Sequence, residues 1–194
     1  HLLDSVQEVF FNDKKDLIPK IEETEAKIDQ LHKAVKAYAE DIMQAGISDD
    51  AARVLTLYVA SSGNIERIGD YGKKLLEYYA YRQNRPKDFS QQAMTELSGM
   101  YAEAHHAIVT ALDGFINDDP DKAREVAPIA GKLRGLEVER RNRHIQRLDT
   151  QECDSETGLV YVDILGIIEH IGYHSNNVAK ATISSCTAEH KAKA

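Results

Sequence analysis

Apolar residues recur at three- and four-residue steps along most of this chain, and no segment alternates every second position as a half-buried strand would. Ile21, Ile28, Leu31, Val35, Tyr38 and Ile42 keep that spacing, as do Met94, Leu97, Tyr101, Ala104, Ile108 and Phe115. At about 100° per residue, Tyr58, Ile65, Ile68, Gly72, Leu76 and Tyr79 share one side of a cylinder, and Tyr161, Ile164, Ile168, Ile171 and Ser175 share another. Turn and cap chemistry at Asn12-Asp13, Ala45-Gly46 with Ser48, Asn84-Arg85-Pro86, Asn117-Asp118-Asp119-Pro120 and Asp154-Ser155 divides these stripes into six helical segments. Ser48 and Ser90 are the expected N-caps, because a hydroxyl can accept from an unpaired N–H of the first turn.

The chain repeats itself. Gly63-Asn64-Ile65-Glu66-Arg67-Ile68-Gly69-Asp70 returns in altered form as Gly166-Ile167-Ile168-Glu169-His170-Ile171-Gly172-Tyr173, an offset of 103 residues, and Tyr58-Val59 pairs upstream with Tyr161-Val162. Long helices joined by short loops pack antiparallel, so the expected fold is all-α: a tandem pair of antiparallel three-helix bundles, residues 1–85 and 86–194, with six helices in total. Leu2-Leu3 with Val6 and Val9-Phe10 already reads as helix from the first residues, which gives the expectation of an excised domain whose first helix has been shortened. Gly63, Gly69, Gly72, Gly166 and Gly172 each cost about 1 kcal/mol inside a helix, and close approach of a neighbouring helix is the expected compensation.

The chemistry sits on these motif helices. Glu66 and Asp70 are one turn apart at the edge of the apolar stripe, where two carboxylates can converge on one hard cation. In the second copy Glu169 keeps the first acid, Tyr173 replaces the second, and His174 is a candidate substitute ligand. The competing reading is a solvated charged face with Arg67 and Lys73 or Lys74 as neutralising neighbours. Between Leu133 and Leu148 the core register of the fifth segment passes through Arg140 and His144, which marks either a helix end emerging into solvent or a site.

Charge and composition narrow the classes. A net charge of −8 opposes a nucleic-acid surface, and the basic run from Arg134 to Arg147 is interleaved with Glu137 and Glu139. No apolar run approaches a membrane span and no signal-peptide pattern opens the chain, so a soluble protein is expected. Cys153 and Cys186 form no CxxC, which indicates neither a zinc site nor a disulfide. No nucleophile elbow or P-loop occurs, and no enzymatic activity is expected.

Asn64-x-Glu66-Arg67-Ile68-Gly69-Asp70 resembles the D-x-E-R-I-G-D signature of the PhoU family of phosphate-uptake regulators, and Glu169-x-Ile171-Gly172-x-His174-x-x-Asn177-Val178 is similar to its second copy. His144-Ile145-x-Arg147-Leu148, Cys153, Gly158 and Asp163-Ile164-Leu165 resemble the carboxy-terminal PhoU-like domain of bacterial sodium/phosphate cotransporters. The resemblance implies a regulatory domain on the cytosolic face of the cell membrane, with the membrane part of a phosphate transporter, in the same or a separate chain, as partner. A homodimer is a further candidate assembly. It also implies a metal cluster on the acidic motif, most commonly iron, with manganese, magnesium, calcium and zinc behind it. By position Glu66 and Asp70 inherit that role, and Glu169, with His174, inherits part of it. Asn64, His170 and Tyr173 depart from the family pattern, so one functional acidic site and one retained for packing are expected. Two rivals remain: a ferritin-like di-metal carboxylate protein, for which Glu103-x-x-His106 and Asp29-x-x-His32 would be the echo, and a metal-free helical scaffold for protein interaction.

Overall fold

The computed structural model describes residues 1–84, 89–149 and 155–192, and among them every regular element is helical. α1 is Leu2–Asn12, followed by a 3-10 turn at Lys15–Leu17; α2 is Ile18–Gln44, α3 Asp49–Gln83, α4 Gln91–Ile116, α5 Pro120–Arg124, α6 Val126–Asp149 and α7 Ser155–Ala192. Six of these are the expected helices, and the five-residue α5 is an addition. The all-α expectation is met. Cys153 and Asp154 lie outside the described residues, as do Arg85 and Pro86 of the turn expected after Asn84.

The termini follow from local chemistry. Ser48 accepts from the Ala51 N–H at 3.3 Å and Ser90 from the Ala93 N–H at 3.2 Å, the two caps expected from sequence. α1 stops at Asp13, which adopts the left-handed conformation at φ 59°, one that aspartate tolerates better than most residues. Asp119 caps α5 by accepting from Asp121 and Lys122, with Pro120 in the first turn where no N–H is needed. Pro128 likewise sits in the first turn of α6 and does not interrupt it.

α2, α3, α7 and α6 pack in that order as one layer, and α1 and α4 back it, with α5 tucked between α4 and α7. α3 and α7 form the centre. Their contacts Tyr78 with Asp163, Tyr71 with His170, and Asn64 with Asn177 step in opposite directions along the two helices, so the pair is antiparallel. The 103-residue repeat offset exchanges these two helices, so their antiparallel packing relates the two motif copies by a local pseudo-twofold. The buried apolar residues form a single cluster drawn from both halves, with Leu97, Met100, Leu133, Ile164, Leu165, Ile168 and Ile171 at its centre.

Two expectations change here, and one open alternative closes. Leu31 is 65% exposed and Tyr38 68%, whereas the α2 stripe placed both in the core. α1 has 11 residues against 27 for α2, so at 1.5 Å per residue it can back less than half of α2, and the apolar residues beyond that reach stay uncovered. On α6 the polar register does not emerge into solvent: His144 is only 4% exposed. The glycines, finally, do not share one cause. A Cβ at Gly72 would meet Leu2 Cδ2 at 2.5 Å, one at Gly172 would collide with Leu133, and one at Gly63 would meet His32 Cε1 at 3.3 Å, all as close approach requires. At Gly166 an added Cβ meets nothing within 4 Å.

Candidate functional site

α3 places Glu66 half-buried and Asp70 exposed, with Ile68 and Gly69 between them turned inward. Across the seam, α2 supplies Glu25, Asp29 and His32. Its approach is set by the glycines: a Cβ at Gly69 would touch Ile28 at 3.7 Å and Glu25 Cγ at 4.0 Å, and His32 takes the space beside Gly63. Lys73 reaches Glu25 at 3.1 Å and Lys33 reaches Asp29 at 2.7 Å, so the seam holds more carboxylates than these cations fully offset. Burial, then Asp70, raises the pKa of Glu66; burial, then Glu25, raises that of Asp70. Both acids therefore hold their protons more tightly than free carboxylates do. Such a cluster suits a hard cation in donor type and charge. Among the described residues, however, no three His, Cys, Asp or Glu side chains converge to hold a metal ion.

The other two candidate ligands lie elsewhere. Glu169, on α7, is half-buried with His170 Nδ1 3.6 Å away. His174 sits on the α3–α7 seam, where Nδ1 is 2.8 Å from Asn64 Oδ1; Asn177 Nδ2 donates to the same oxygen at 3.3 Å. Burial, then Arg67 and His170, lowers the His174 pKa and keeps it neutral. The family departure at Asn64 thus has a local use, because its amide oxygen ties the two motif helices together. Glu103 of the ferritin-like echo accepts from Lys132 at 2.6 Å, and His106 is exposed.

A second polar centre was not assigned from sequence. Glu96 of α4 is 9% exposed and accepts from Tyr161 Oη at 2.5 Å, from Arg147 at 3.3 and 3.4 Å and from Gln92 at 3.3 Å. Arg147 also lies over the Tyr161 ring at 5.6 Å, and Arg140 donates to the Glu96 carbonyl. Burial works against the Glu96 charge, but the Tyr161 and Arg147 bonds outweigh it and its pKa falls. The signal was the run of polar residues in the α6 core register; what sequence could not name was their partner on α4.

The PhoU domain family matches residues 1–79 and 97–182 of this chain. The chain belongs to the PhoU family. It is 24% identical over 169 residues to the phosphate-specific transport system accessory protein PhoU homolog 1 of Thermotoga maritima, covering 86% of this chain and 72% of that one. The crystal structure of PhoU from Pseudomonas aeruginosa superposes with a TM-score of 0.86 at 18% identity, covering 95% of this chain and 88% of that one, which shows the shared fold. With membership of the family comes the general role: a PhoU-like regulatory domain of phosphate transport. Within it, the signature helices are α3 and α7, the central antiparallel pair.

Proposed function

We propose that this PhoU-family domain regulates phosphate uptake by docking on the membrane portion of a phosphate transporter and biasing its conformations from the cytosolic face. The sequence resemblance to sodium/phosphate cotransporters favours a transporter portion in the same polypeptide. Regulation of this kind needs no bond chemistry. A docked domain shifts a two-state equilibrium only by its difference in affinity for the two states, and about 1.4 kcal/mol of difference changes the populations tenfold. No helix among the described residues is long and apolar enough to cross a membrane, so the transporter's spans would come from elsewhere. The observation that carries the reading is the antiparallel α3–α7 pair, which brings both signature copies of a PhoU-family chain to the centre of one layer.

The acidic α2–α3 seam is the proposed regulatory metal site. Glu66 and Asp70 would hold a hard cation, iron foremost, with Glu25 and Asp29 closing from α2 and no equivalent acid at Tyr173 in the second half. Bound metal would supply positive charge to a seam that otherwise repels itself, and so would set how tightly α2 lies on α3. Co-purification of the chain with the transporter's membrane portion tests the docking; capture should occur with protein prepared without chelator and weaken after chelation. Capture equal in both preparations would leave a metal-free scaffold, and no capture would end the docking reading. A homodimer is the alternative use of the same surface, read by sedimentation.

A further inference from the structure

Between α3, α7 and α6 lies an open groove of about 510 Å³, which meets the α2–α3 acid seam only at Asp70. Tyr71 and His170 stack in one wall with ring centroids 5.4 Å apart and planes at 14°. Tyr78 forms another aromatic surface, and its hydroxyl donates to Asp163 Oδ2 at 3.1 Å. Gly166 lines the groove, and it is the motif glycine whose missing side chain no neighbour fills. The contrast with the first repeat is internal. The space beside its counterpart Gly63 is taken by His32 of α2, and the positions equivalent to Tyr71 and Lys74 are His174 and Asn177, which close onto Asn64. One side of the pseudo-twofold is plugged by the chain itself. The other is left open at the cost of a helical glycine.

The charges say what fits. Lys74 is paired with Glu77 at 2.5 Å, and Arg141 donates to Glu137 from both Nε and Nη2. Both groove cations are thus engaged within their own helices, and Lys74 Nζ also lies 5.8 Å from the centre of the Tyr78 ring. Asp70 and Asp163 have no salt-bridge partner among the described residues, so the sign left over is negative, in a chain of net charge −8. Aromatic rings next to carboxylates outside any salt bridge match a planar cation that can stack and donate a fork of hydrogen bonds at once. A compact ammonium can lie over a ring but donates no planar fork, and an anion is opposed by both carboxylates.

We propose that this groove receives an arginine side chain from a partner protein segment, its guanidinium replacing Lys74 over the Tyr78 ring at the edge of the Tyr71–His170 stack and bonded to Asp163. The inference stands apart from transport regulation: it concerns which side chain the groove takes, whatever that partner does. Asp70 also borders the acid seam, so the test is placed on Asp163 and Gly166.

The test titrates the isotope-labelled 194-residue chain with acetyl-Gly-Arg-Gly-amide and follows amide shifts. The lysine and glutamate analogues and inorganic phosphate serve as comparison probes. The arginine peptide should move resonances of residues 70–78 and 163–170, with the lysine peptide several-fold weaker and the glutamate peptide and phosphate without effect there. Asp163→Asn keeps an acceptor for Tyr78 but loses the charge, and should weaken the arginine peptide by about tenfold. Gly166→Leu should abolish the shifts by filling the groove, while Gly166→Ala, which meets no neighbour, checks that a side chain there leaves the fold intact. Lys74→Ala should leave the arginine peptide bound at least as tightly. Equal response to arginine and lysine, persistence of the shifts in a folded Gly166→Leu protein, or shifts caused by phosphate and lost in Lys74→Ala would each overturn the proposal.

Discussion

Two alanine substitutions in one helix should differ in stability. Gly166 and Gly172 both lie inside α7, so replacing either by alanine recovers about 1 kcal/mol of helix propensity. At Gly166 that gain stands alone, because the new methyl touches nothing within 4 Å. At Gly172 the methyl collides with Leu133 Cδ1, with Cγ at 3.5 Å and Cβ at 3.6 Å behind it, and Leu133 is fully buried on α6. Rotating the leucine away means finding another rotamer in a packed core, and overpacking of that kind costs about 1–3 kcal/mol. The shared propensity term cancels between the two variants, so their stabilities should differ by the overpacking cost itself, about 1–3 kcal/mol. For a domain of this size that corresponds to roughly 2–12 °C in thermal midpoint, Gly166→Ala above the parent and Gly172→Ala below Gly166→Ala. Urea denaturation followed by circular dichroism at 222 nm measures both. Adding Leu133→Ala to Gly172→Ala should cost less than Leu133→Ala costs in the parent, because the new methyl occupies part of the vacated space. Equal stability of the two alanine variants, or strict additivity with Leu133→Ala, would refute the view that α6 approaches α7 through the absent Gly172 side chain.

Tyr161→Phe removes a buried bond to the charged Glu96 and should cost about 1.5–3 kcal/mol in the same urea assay. Burial lowers the His144 pKa, followed by the effect of Arg147, so the folded state favours the neutral ring; its contribution is complete above pH 6.5 and fades as pH falls toward the lower folded value. The depressed Glu96 acts with the same sign further down, its stabilisation being lost as pH drops from 4.5 through its folded value. Urea midpoints should therefore decline on acidification from pH 7, and His144→Gln should shallow the upper part of that decline. Glu66 and Asp70 have the opposite sign, because their raised pKa values make the ionised forms a burden on the metal-free fold at neutral pH. Glu66→Gln or Asp70→Asn should leave the metal-free protein as stable or slightly more so, by well under about 1 kcal/mol given their solvent screening, while reducing bound metal measured after purification without chelator.

The helices and much of their burial could be read from the chain because a 3.6-residue period and a serine cap are local facts. Tyr161, Ile164, Ile168, Ile171 and Ser175 are all buried, as their stripe requires, and Glu66 lies at the edge of its stripe, half-buried. What escaped depended on neighbours. Leu31 and Tyr38 carry the right spacing, but spacing says which side of a helix is apolar and not whether another helix reaches it. His144 and Arg140 advertised a polar interior, yet Glu96, which Arg140 and Arg147 bond, lies about fifty residues away in sequence and nothing local marks it as their partner. Equal glycines in the two motifs suggested one packing cause, whereas Gly172 is pressed by Leu133 and Gly166 faces open space. His174 offered an imidazole of ligand type, and its Nδ1 contact with Asn64 across the α3–α7 seam is a pairing that spacing alone does not reveal.

The most direct measurement of the central claim is phosphate uptake in cells of the natural host that lack this domain, complemented with the parent chain or with Glu66→Ala plus Asp70→Ala. If the domain biases a transporter through its acidic seam, loss should change the rate of labelled phosphate uptake, the parent should restore control, and the double variant should fail to do so while remaining folded. Uptake that is identical with and without the domain across phosphate-poor and phosphate-rich media would contradict regulation of phosphate transport altogether.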